Sequence, residues 1–478
     1  MIARAASFTA AEVHEAVGGR LLGAVARRYA GVSTDTRDSL TGQLFVALVG
    51  ERHDAHDHLA AALAGGAAGL LVGESGWAKV QASLQIGEAA VHVVPDTLYG
   101  LGELAKFHHR RLGTATWALT GSNGKTTTKE LLAAILSEVR PTLKTEGNLN
   151  NLIGVPLTVL GLNSMHRAAV VEMGMNRPGE IARYTEIAEP DVGLVINVGP
   201  AHIGELGSLR AIADAKGELF RGLGQGKVAV VNADDPLVVE QLHQSQVERH
   251  RTFGRGPGVN VQLLSAEPIV TPEGLDGGQW LRLSIDGLEI ETSIPFAGAH
   301  NALNAAAAAA AATALPTVNV GPQAVRTGLP RALNVGRRLV FEPVGPFLVV
   351  DDCYNANSAS MLAALETVAS FGARSGRRVV AVLGEMRELG GFGPAEHQKV
   401  GMALKARGVP LVAAFGPLAG PMIADLGTTA EVAHESDDLD RLYAWLRPRL
   451  AAGDLILVKG SRGAKMERVI QKLRDEGK

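Results

Sequence analysis

The sequence holds a single cysteine, Cys353, in 478 residues. An internal disulfide framework and a thiolate zinc cluster are therefore excluded, and a reducing compartment suits the chain better than an oxidising one. Charge of one sign is missing as well. The 46 lysines and arginines oppose 49 aspartates and glutamates, leaving a formal charge of −3. No global positive field exists to hold nucleic acid or an anionic membrane, so any phosphate must be bound locally. No run approaches the roughly 18 uninterrupted apolar residues of a membrane span. The longest bland stretch, Ala305 to Ala312, is short and weakly hydrophobic, and the start, MIARAASFTAAEV, has no apolar signal core. A cytoplasmic protein without membrane insertion is expected. Low-complexity linkers and tandem repeats are also missing, while 46% hydrophobic and 20% charged residues are globular usage rather than that of a disordered chain.

At roughly 150 residues per domain the length predicts about three domains. Residues 1–95 read as a small α/β unit containing the polar segment STDTR (Ser33 to Arg37) and the apolar runs LFVALVG, AAGLLVG and VHVVP. Residues 96–330 alternate helical patterns with strand-length runs, ATWALT, AAVVEM, DVGLVINVG and KVAVVNA, as expected of a parallel sheet covered on both faces. From Gly254 to Pro295 the pattern becomes polar/apolar alternation with Asp286-Gly287 as a hairpin signal, predicting an antiparallel annex. Residues 331–478 return to buried strands, FLVVDD, RRVVAVLG, PLVAAFG and DLILVKG. The fold class expected is α/β in three domains: a small N-terminal substrate unit, a central P-loop domain and a Rossmann-like, doubly wound C-terminal domain. Polar clusters follow the apolar runs directly, which is where open parallel sheets collect ligands.

ALTGSNGKTTTKELLAAILSEV combines a strand, a glycine-rich turn and an amphipathic helix with Leu131, Leu132, Ile135, Leu136 and Val139 on one face. Gly121 and Gly124 let backbone N–H groups close around phosphate oxygens, the helix N-terminus adds partial positive charge and Lys125 a full one. Thr126 offers a hydroxyl to Mg²⁺, with Asn123 and Thr127 beside it. The spacing is shorter than the general G-x-x-x-x-G-K-S/T loop, since position 119 is Leu.

The shorter G-x-N-G-K-T form resembles the Mur ligases, the ATP-dependent amide-forming enzymes of peptidoglycan precursor synthesis. The likeness extends along the chain through Glu172 in VEMGMN, Asn197 and His202 in NVGPAH, Lys216 in AKGELF, and His300, Asn301 and Asn304 in GAHNALN. In the third block DDCYNAN, LGEMRELG and KGSRGAKME resemble the members of that family that add D-alanyl-D-alanine to a UDP-N-acetylmuramoyl tripeptide. Ser358 stands where a proline is frequent. What the resemblance implies is an ADP-forming acid–amino-acid ligase, with ATP, two Mg²⁺ ions and those two small molecules as its partners; a monomer is expected.

Joining a carboxylate to an amine in water is uphill, so the carboxylate must first become an acyl phosphate. That step brings two anions together and demands cations at the developing charge. Lys125 and Mg²⁺ are the expected supply, with Thr126 and Glu172 at the nucleotide-bound ion. For a second ion the resemblance implies His202 and a carbamylated Lys216, CO₂ addition turning a cation into an anionic oxygen donor. It also implies that Arg337 and Asp352 meet the nucleotide, and that His300, Asn301 and Asn304 meet its base, Asn amides matching both donor and acceptor edges of adenine. Tyr354, Asn355, Asn357, Lys459, Ser461 and Arg462 are expected at the incoming dipeptide. Ser33, Asp35, Thr36 and Arg37 suit the uridine diphosphate group, and Asn148, Asn150 and Asn151 the tripeptide or its pyrophosphate. Singly, many of these have plainer readings. Glu172 could serve a salt bridge, Asn301 a helix cap, Lys216 a solvated helix face and the three asparagines a turn. Rival functions are another Mur-type or folylpolyglutamate-type ligase, a P-loop kinase or ATPase, and a nucleotide-binding scaffold without catalysis.

Overall fold

The computed structural model describes residues 6–23, 27–201, 203–270, 276–427 and 429–476. Its framework is three sheets in succession along the chain.

The first sheet runs, in spatial order, Arg20–Leu22, Ala90–Val94, Gly69–Gly73, Leu44–Val46 and Val32–Ser33, parallel except for its first strand. A two-stranded ribbon, Phe8–Thr9 with Arg28–Tyr29, lies beside it. The helix Thr97–Leu112 then leads into the second sheet. Its N-terminus is capped by Asp96, whose carboxylate accepts from the Leu98 and Tyr99 N–H groups at 2.7 and 3.1 Å, and it stops at Gly113 in the left-handed conformation, a common helix terminator. This helix touches both neighbours. Gly100 faces Leu71 and Val94 of the first sheet, whereas Gly102 faces Arg183 and Ile187 of the second block.

The nine-stranded second sheet has the order Leu288–Ile294, Asp276–Ile285, Val261–Val270, Arg249–Gly254, Val228–Asn232, Val192–Val195, Ala115–Thr120, Ala168–Glu172, Thr142–Lys144. Strands from Val261–Val270 to Thr142–Lys144 are parallel; the remaining two pair antiparallel, as the alternation predicted. Asp286 and Gly287 both have positive φ and join Ile285 to Leu288 in a two-residue turn, the geometry that suits strand twist. The strand Arg249–Gly254 was not expected. Its sequence RHRTFG is polar because the strand's first half is largely solvent-facing.

The chain leaves Ala115–Thr120 toward one side of the sheet and returns on the other at Val192–Val195, placing the switch in strand order at the carboxyl end of Ala115–Thr120. That crevice is where ligands of such sheets bind. The helix Lys125–Ser137 starts there. Leu131, Leu132, Ile135 and Leu136 are buried as their periodicity requires. Val139 departs from the expectation: the helix ends at Ser137, and Val139 is 42% exposed in the turn toward Pro141. The alanine run in the helix Ala299–Ala312 is wholly buried. Its small side chains pack in one core cluster with the phosphate-loop helix, and the Trp117 indole N–H donates to Ala311 O at 2.8 Å.

The third sheet runs Val340–Val344, Phe347–Asp352, Leu455–Lys459, Val379–Gly384, Leu411–Phe415 and Glu431–Glu435, parallel beyond its first strand. The late strand Leu455–Lys459 inserts beside Phe347–Asp352, so Lys459 stands directly opposite Asp352. No helix among the described residues is long and apolar enough to cross a membrane.

Candidate active site

A cavity of about 590 Å³ opens between the carboxyl ends of the second and third sheets. One wall is the phosphate loop. Gly124 has φ +80, and a Cβ there would sit 2.5 Å from Asn304 Oδ1, so both backbone conformation and space demand glycine. A Cβ on Gly121 would meet Ile196 Cβ at 3.0 Å. Asn197 braces the loop from the neighbouring strand end, accepting from Asn123 N–H at 3.0 Å and donating to Asn123 O at 3.1 Å. Ser122 adds a reciprocal pair with the backbone of Gly199 at 2.9 and 2.8 Å. The loop is thus fixed before any phosphate arrives.

Lys125 is half-buried and donates to Gly121 O at 2.7 Å. Burial lowers its pKa, with the nearby Glu172 carboxylate opposing the shift. Glu172 ends the strand Ala168–Glu172 and is 2% exposed. Its Oε1 accepts from Asn150 Nδ2 at 2.8 Å and, at 3.5 Å, from Thr126 Oγ1. Its Oε2 is buried without a hydrogen-bond partner, with Lys129 Nζ 3.9 Å away. Lys129 also lies 3.2 Å from Glu130, which Lys144 pairs from the other side. Thr127 lines the cavity too. Sequence reading missed Lys129 and Glu130; burial of two charges inside a helix could have been suspected because they continue the phase of the apolar residues that follow.

Asn148, Asn150 and Asn151 line the cavity. Asn151 is partly structural, its Oδ1 accepting from the Ile153 and Gly154 N–H groups at 3.1 and 2.8 Å ahead of the helix Gly154–Leu160. His300 and Asn301 are in the lining, with Asn304 packed behind at Gly124. Asn301 does not cap its helix. It donates to Ala297 O at 2.7 Å and accepts from Asn304 Nδ2 at 2.9 Å, leaving each buried amide partly committed to the other.

The opposite wall comes from the third block. Arg338 Nη2 donates to Thr126 Oγ1 at 3.1 Å, and its guanidinium lies 4.2 Å from the centre of the Tyr354 ring. Its neighbour Arg337, the residue expected at the nucleotide, turns to Asp351 at 3.8 Å and is absent from the lining. In a GRR sequence either arginine can be chosen by eye; the left-handed backbone at Arg337 and Leu339 decides which one points inward. Asn357 caps the helix Ser358–Ser375 through Ser360 N–H and donates to Asn123 Oδ1 at 2.9 Å. Ser358 bonds the buried Glu396, occupying the place of the frequent proline with a side chain that fastens the helix start. Asp352 and Lys459 form a buried pair at 2.7 Å, and Lys459 also donates to Asn355 O at 2.9 Å. Burial raises the Asp352 pKa, and Lys459 opposes that shift. Tyr354, Asn355 and Lys459 all line the cavity.

The remaining expected residues lie elsewhere. Lys216 is buried in the helix Leu209–Arg221, off the lining, its pKa held well below the lysine range by burial and then by Lys125. Ser461 Oγ is buried without a partner, and Arg462 turns outward to Glu467 at 3.0 Å. Ser33, Asp35, Thr36 and Arg37 sit in the first block. Asp35 and Arg37 pair at 2.6 Å, an arrangement that holds the Asp35 carboxyl down at about 2. His202 lies outside the described residues.

Residues 119–312 match the Mur ligase middle domain, and residues 336–462 match the glutamate ligase domain of Mur ligases. The chain is 37% identical over 475 residues to the UDP-N-acetylmuramoyl-tripeptide–D-alanyl-D-alanine ligase of Escherichia coli (strain K12), covering 98% of this chain and 99% of that one. The chain belongs to the Mur ligase family. A Bacillus subtilis (strain 168) ligase of the same description is 35% identical, with 93% of each chain covered. The crystal structure of MurF from Acinetobacter baumannii superposes with a TM-score of 0.86 at 31% identity, covering 99% of this chain and all of that one. MurF ligase from Thermotoga maritima, in complex with ADP, gives 0.78 at 26% identity over 93% of this chain and 97% of that one. Mur ligases are α/β proteins of three-domain architecture, and the three sheets here follow that plan.

Proposed function

We propose that this chain is an ATP-dependent ligase that joins D-alanyl-D-alanine to a UDP-N-acetylmuramoyl tripeptide through an acyl phosphate, in peptidoglycan precursor synthesis. It works in this reading as a cytoplasmic monomer. Residues 1–95 take the UDP-linked substrate, residues 96–330 the nucleotide, and residues 331–478 the dipeptide. The observation that carries the reading is a cavity with Lys125, Thr126 and Glu172 on one wall and Arg338, Tyr354, Asn355 and Lys459 on the other. In this reading phosphate chemistry and an amine acceptor share one cavity.

Lys125, released from Gly121 O by an arriving phosphate, places its charge on the transferring group, and Arg338 adds a second from the facing block. The braced loop presents its N–H groups without reorganising, which is where such sites gain most. Thr126 Oγ1 and the unpaired Glu172 Oε2 are oxygen donors of the kind Mg²⁺ prefers, and their small number suits an ion that keeps waters and phosphate oxygens. Magnesium bound there supplies charge that offsets the repulsion between carboxylate and phosphate. Lys459, neutralised by Asp352, orients Asn355 rather than presenting free charge. We assign Tyr354, Asn355 and Asn357 to the dipeptide, and Arg338 to the nucleotide in the role expected of Arg337.

A carbamylated Lys216 is the finer part of the proposal. The amine that adds CO₂ must be neutral, and the depressed pKa of Lys216 supports that form. His202 is its proposed companion for a second ion. Replacing Lys216 by alanine should remove activity that short carboxylates restore in part; a folded variant that they fail to rescue argues against the carbamate.

The overall reading is tested by phosphate release from ATP with the UDP-linked tripeptide, with and without D-alanyl-D-alanine. Sustained release is expected only with both, and oxygen-18 in the tripeptide carboxylate should appear in phosphate. Release that ignores both substrates would point to an ATPase instead.

A further inference from the structure

Outside the cavity, two glycines of different blocks meet backbone to backbone. Gly204 lies in the short helix Ile203–Leu206, after the strand Val192–Val195. Gly390 closes the LGEMRELG segment, which begins in the last two residues of the strand Val379–Gly384. A helix start leaves its first N–H groups without partners inside the helix, and the Gly204 N–H donates across the interface to Glu388 O at 3.2 Å. A side chain clashes at Gly204 and is crowded at Gly390. A methyl group added at Gly204 would sit 2.5 Å from Gly390 N and 2.6 Å from Leu389 C, and one at Gly390 would sit 3.1 Å from Gly204 Cα.

The turn that Gly204 meets is shaped in advance. Glu388 and Gly390 have φ of +65 and +51. His397 is fully buried behind the turn, accepting the Met386 N–H at 2.9 Å and donating to Gly393 O at 2.7 Å, which fixes its protons. Ile203 and Leu389 are buried in one apolar cluster at the contact. Across the same interface run the two side-chain bonds that complete the cavity, Arg338 to Thr126 and Asn357 to Asn123.

We propose that Gly204 and the turn Glu388–Gly390 form a side-chain-free latch that sets the spacing of the central and C-terminal blocks. The latch lets Arg338 and Asn357 reach the phosphate loop. Both glycines are positioning residues, since neither lines the cavity. This gives the LGEMRELG segment a task, resting on the ligase reading only for its kinetic readout. A Cβ at either glycine forces the backbones apart by a fraction of an ångström to about one, and a misplacement of that order costs roughly 10²-fold in rate.

Gly204→Ala and Gly390→Ala should each lower turnover by roughly 10²-fold. The double variant should cost no more than the worse single one, because both break the same contact. Gly391→Ala is the control: an added methyl there meets nothing within 4 Å, and turnover should hold. Hydrogen exchange followed by mass spectrometry supplies a readout apart from activity. Gly390→Ala should speed exchange in residues 203–207 of the other block while the sheet strands keep their protection. Unchanged turnover in Gly204→Ala, multiplying losses in the double variant, or equal exchange of 203–207 in wild type and Gly390→Ala would each overturn the latch. If the wild-type protein joins no amide, the ligase reading fails and the exchange comparison still decides the latch.

Discussion

A carboxylate oxygen buried without a hydrogen-bond partner is costly, and Glu172 Oε2 is tolerated because positive charge stands close by. Lys129 lies 3.9 Å away and is itself 1% exposed. Lys144, Glu130 and Lys129 together carry one net positive charge beside the single negative charge of Glu172, so these four groups sum to neutrality. Removing one member strands the others. Lys129→Met should therefore destabilise the fold by about 3 kcal/mol or more, the cost of an unpaired buried charge, read as a lowered urea midpoint. Adding Glu130→Gln should recover part of that loss by restoring neutrality around Lys144 and Glu172. Lys125→Met should behave in the opposite way. Its ligand-free contact is one carbonyl, and burial disfavours its charge, so melting temperature should hold or rise. Turnover should fall by roughly 10²–10³-fold, the scale of losing one group aimed at developing charge. Comparable stability losses in both variants would contradict this separation of roles.

Along the helix Thr97–Leu112 the same accounting acts on a histidine. His108 is 2% exposed; its Nδ1 lies 2.8 Å from Arg111 Nη2 and its Nε2 2.8 Å from Leu162 O. Arginine can only donate and a carbonyl can only accept, so Nδ1 is bare and Nε2 carries the proton. Burial pushes the pKa of His108 down to about 4. Between the ordinary value of about 6.5 and that depressed one, the unfolded chain binds more protons than the folded chain. Stability therefore declines as pH falls through this window, by up to roughly 3 kcal/mol for this group. Substituting glutamine, which can donate and accept at similar positions, should flatten the decline measured by denaturation from pH 7 to pH 4. An unchanged slope in His108→Gln would assign the acid sensitivity elsewhere. Elements like this helix and the buried strands were legible because their periodicity follows from packing: ATWALT and FLVVDD are doubly apolar because helices cover both faces. Arg249–Gly254, an interior strand with an exposed first half, and Glu431–Glu435, an edge strand, were not, since partly exposed strands carry charge that hides their pattern. In the site, the phosphate loop could be read from spacing, and Glu172 from the family resemblance and its place at a strand end. Arg338 could not be separated from Arg337, because the choice is made by two left-handed residues that no local composition marks.

At the scale of the whole molecule, the three sheets present their ligand-bearing edges unequally to the cavity. The central and C-terminal blocks both line it, whereas Ser33, Asp35, Thr36 and Arg37 of the first block do not. A ligand that binds only the folded state stabilises what it touches, by about 2.7 kcal/mol at a hundredfold excess over its dissociation constant. Mg²⁺ with ADP should therefore slow hydrogen exchange in residues 121–127 and 338–357 and leave residues 32–46 unchanged. The UDP-linked tripeptide should add protection at 32–37 and at 148–151. Joint addition should protect 203–207 and 388–391 more than either alone, because both ligands then favour the same spacing of the blocks. The helix Thr97–Leu112 joins the two blocks, Gly100 facing Leu71 and Val94 of the first while Glu103 pairs with Arg183 of the second at 2.7 Å. Should Mg²⁺ with ADP alone protect residues 32–46 as strongly as 121–127, the division of labour among the three blocks would be wrong, and the nucleotide would have to be read as gripping the entire chain at once.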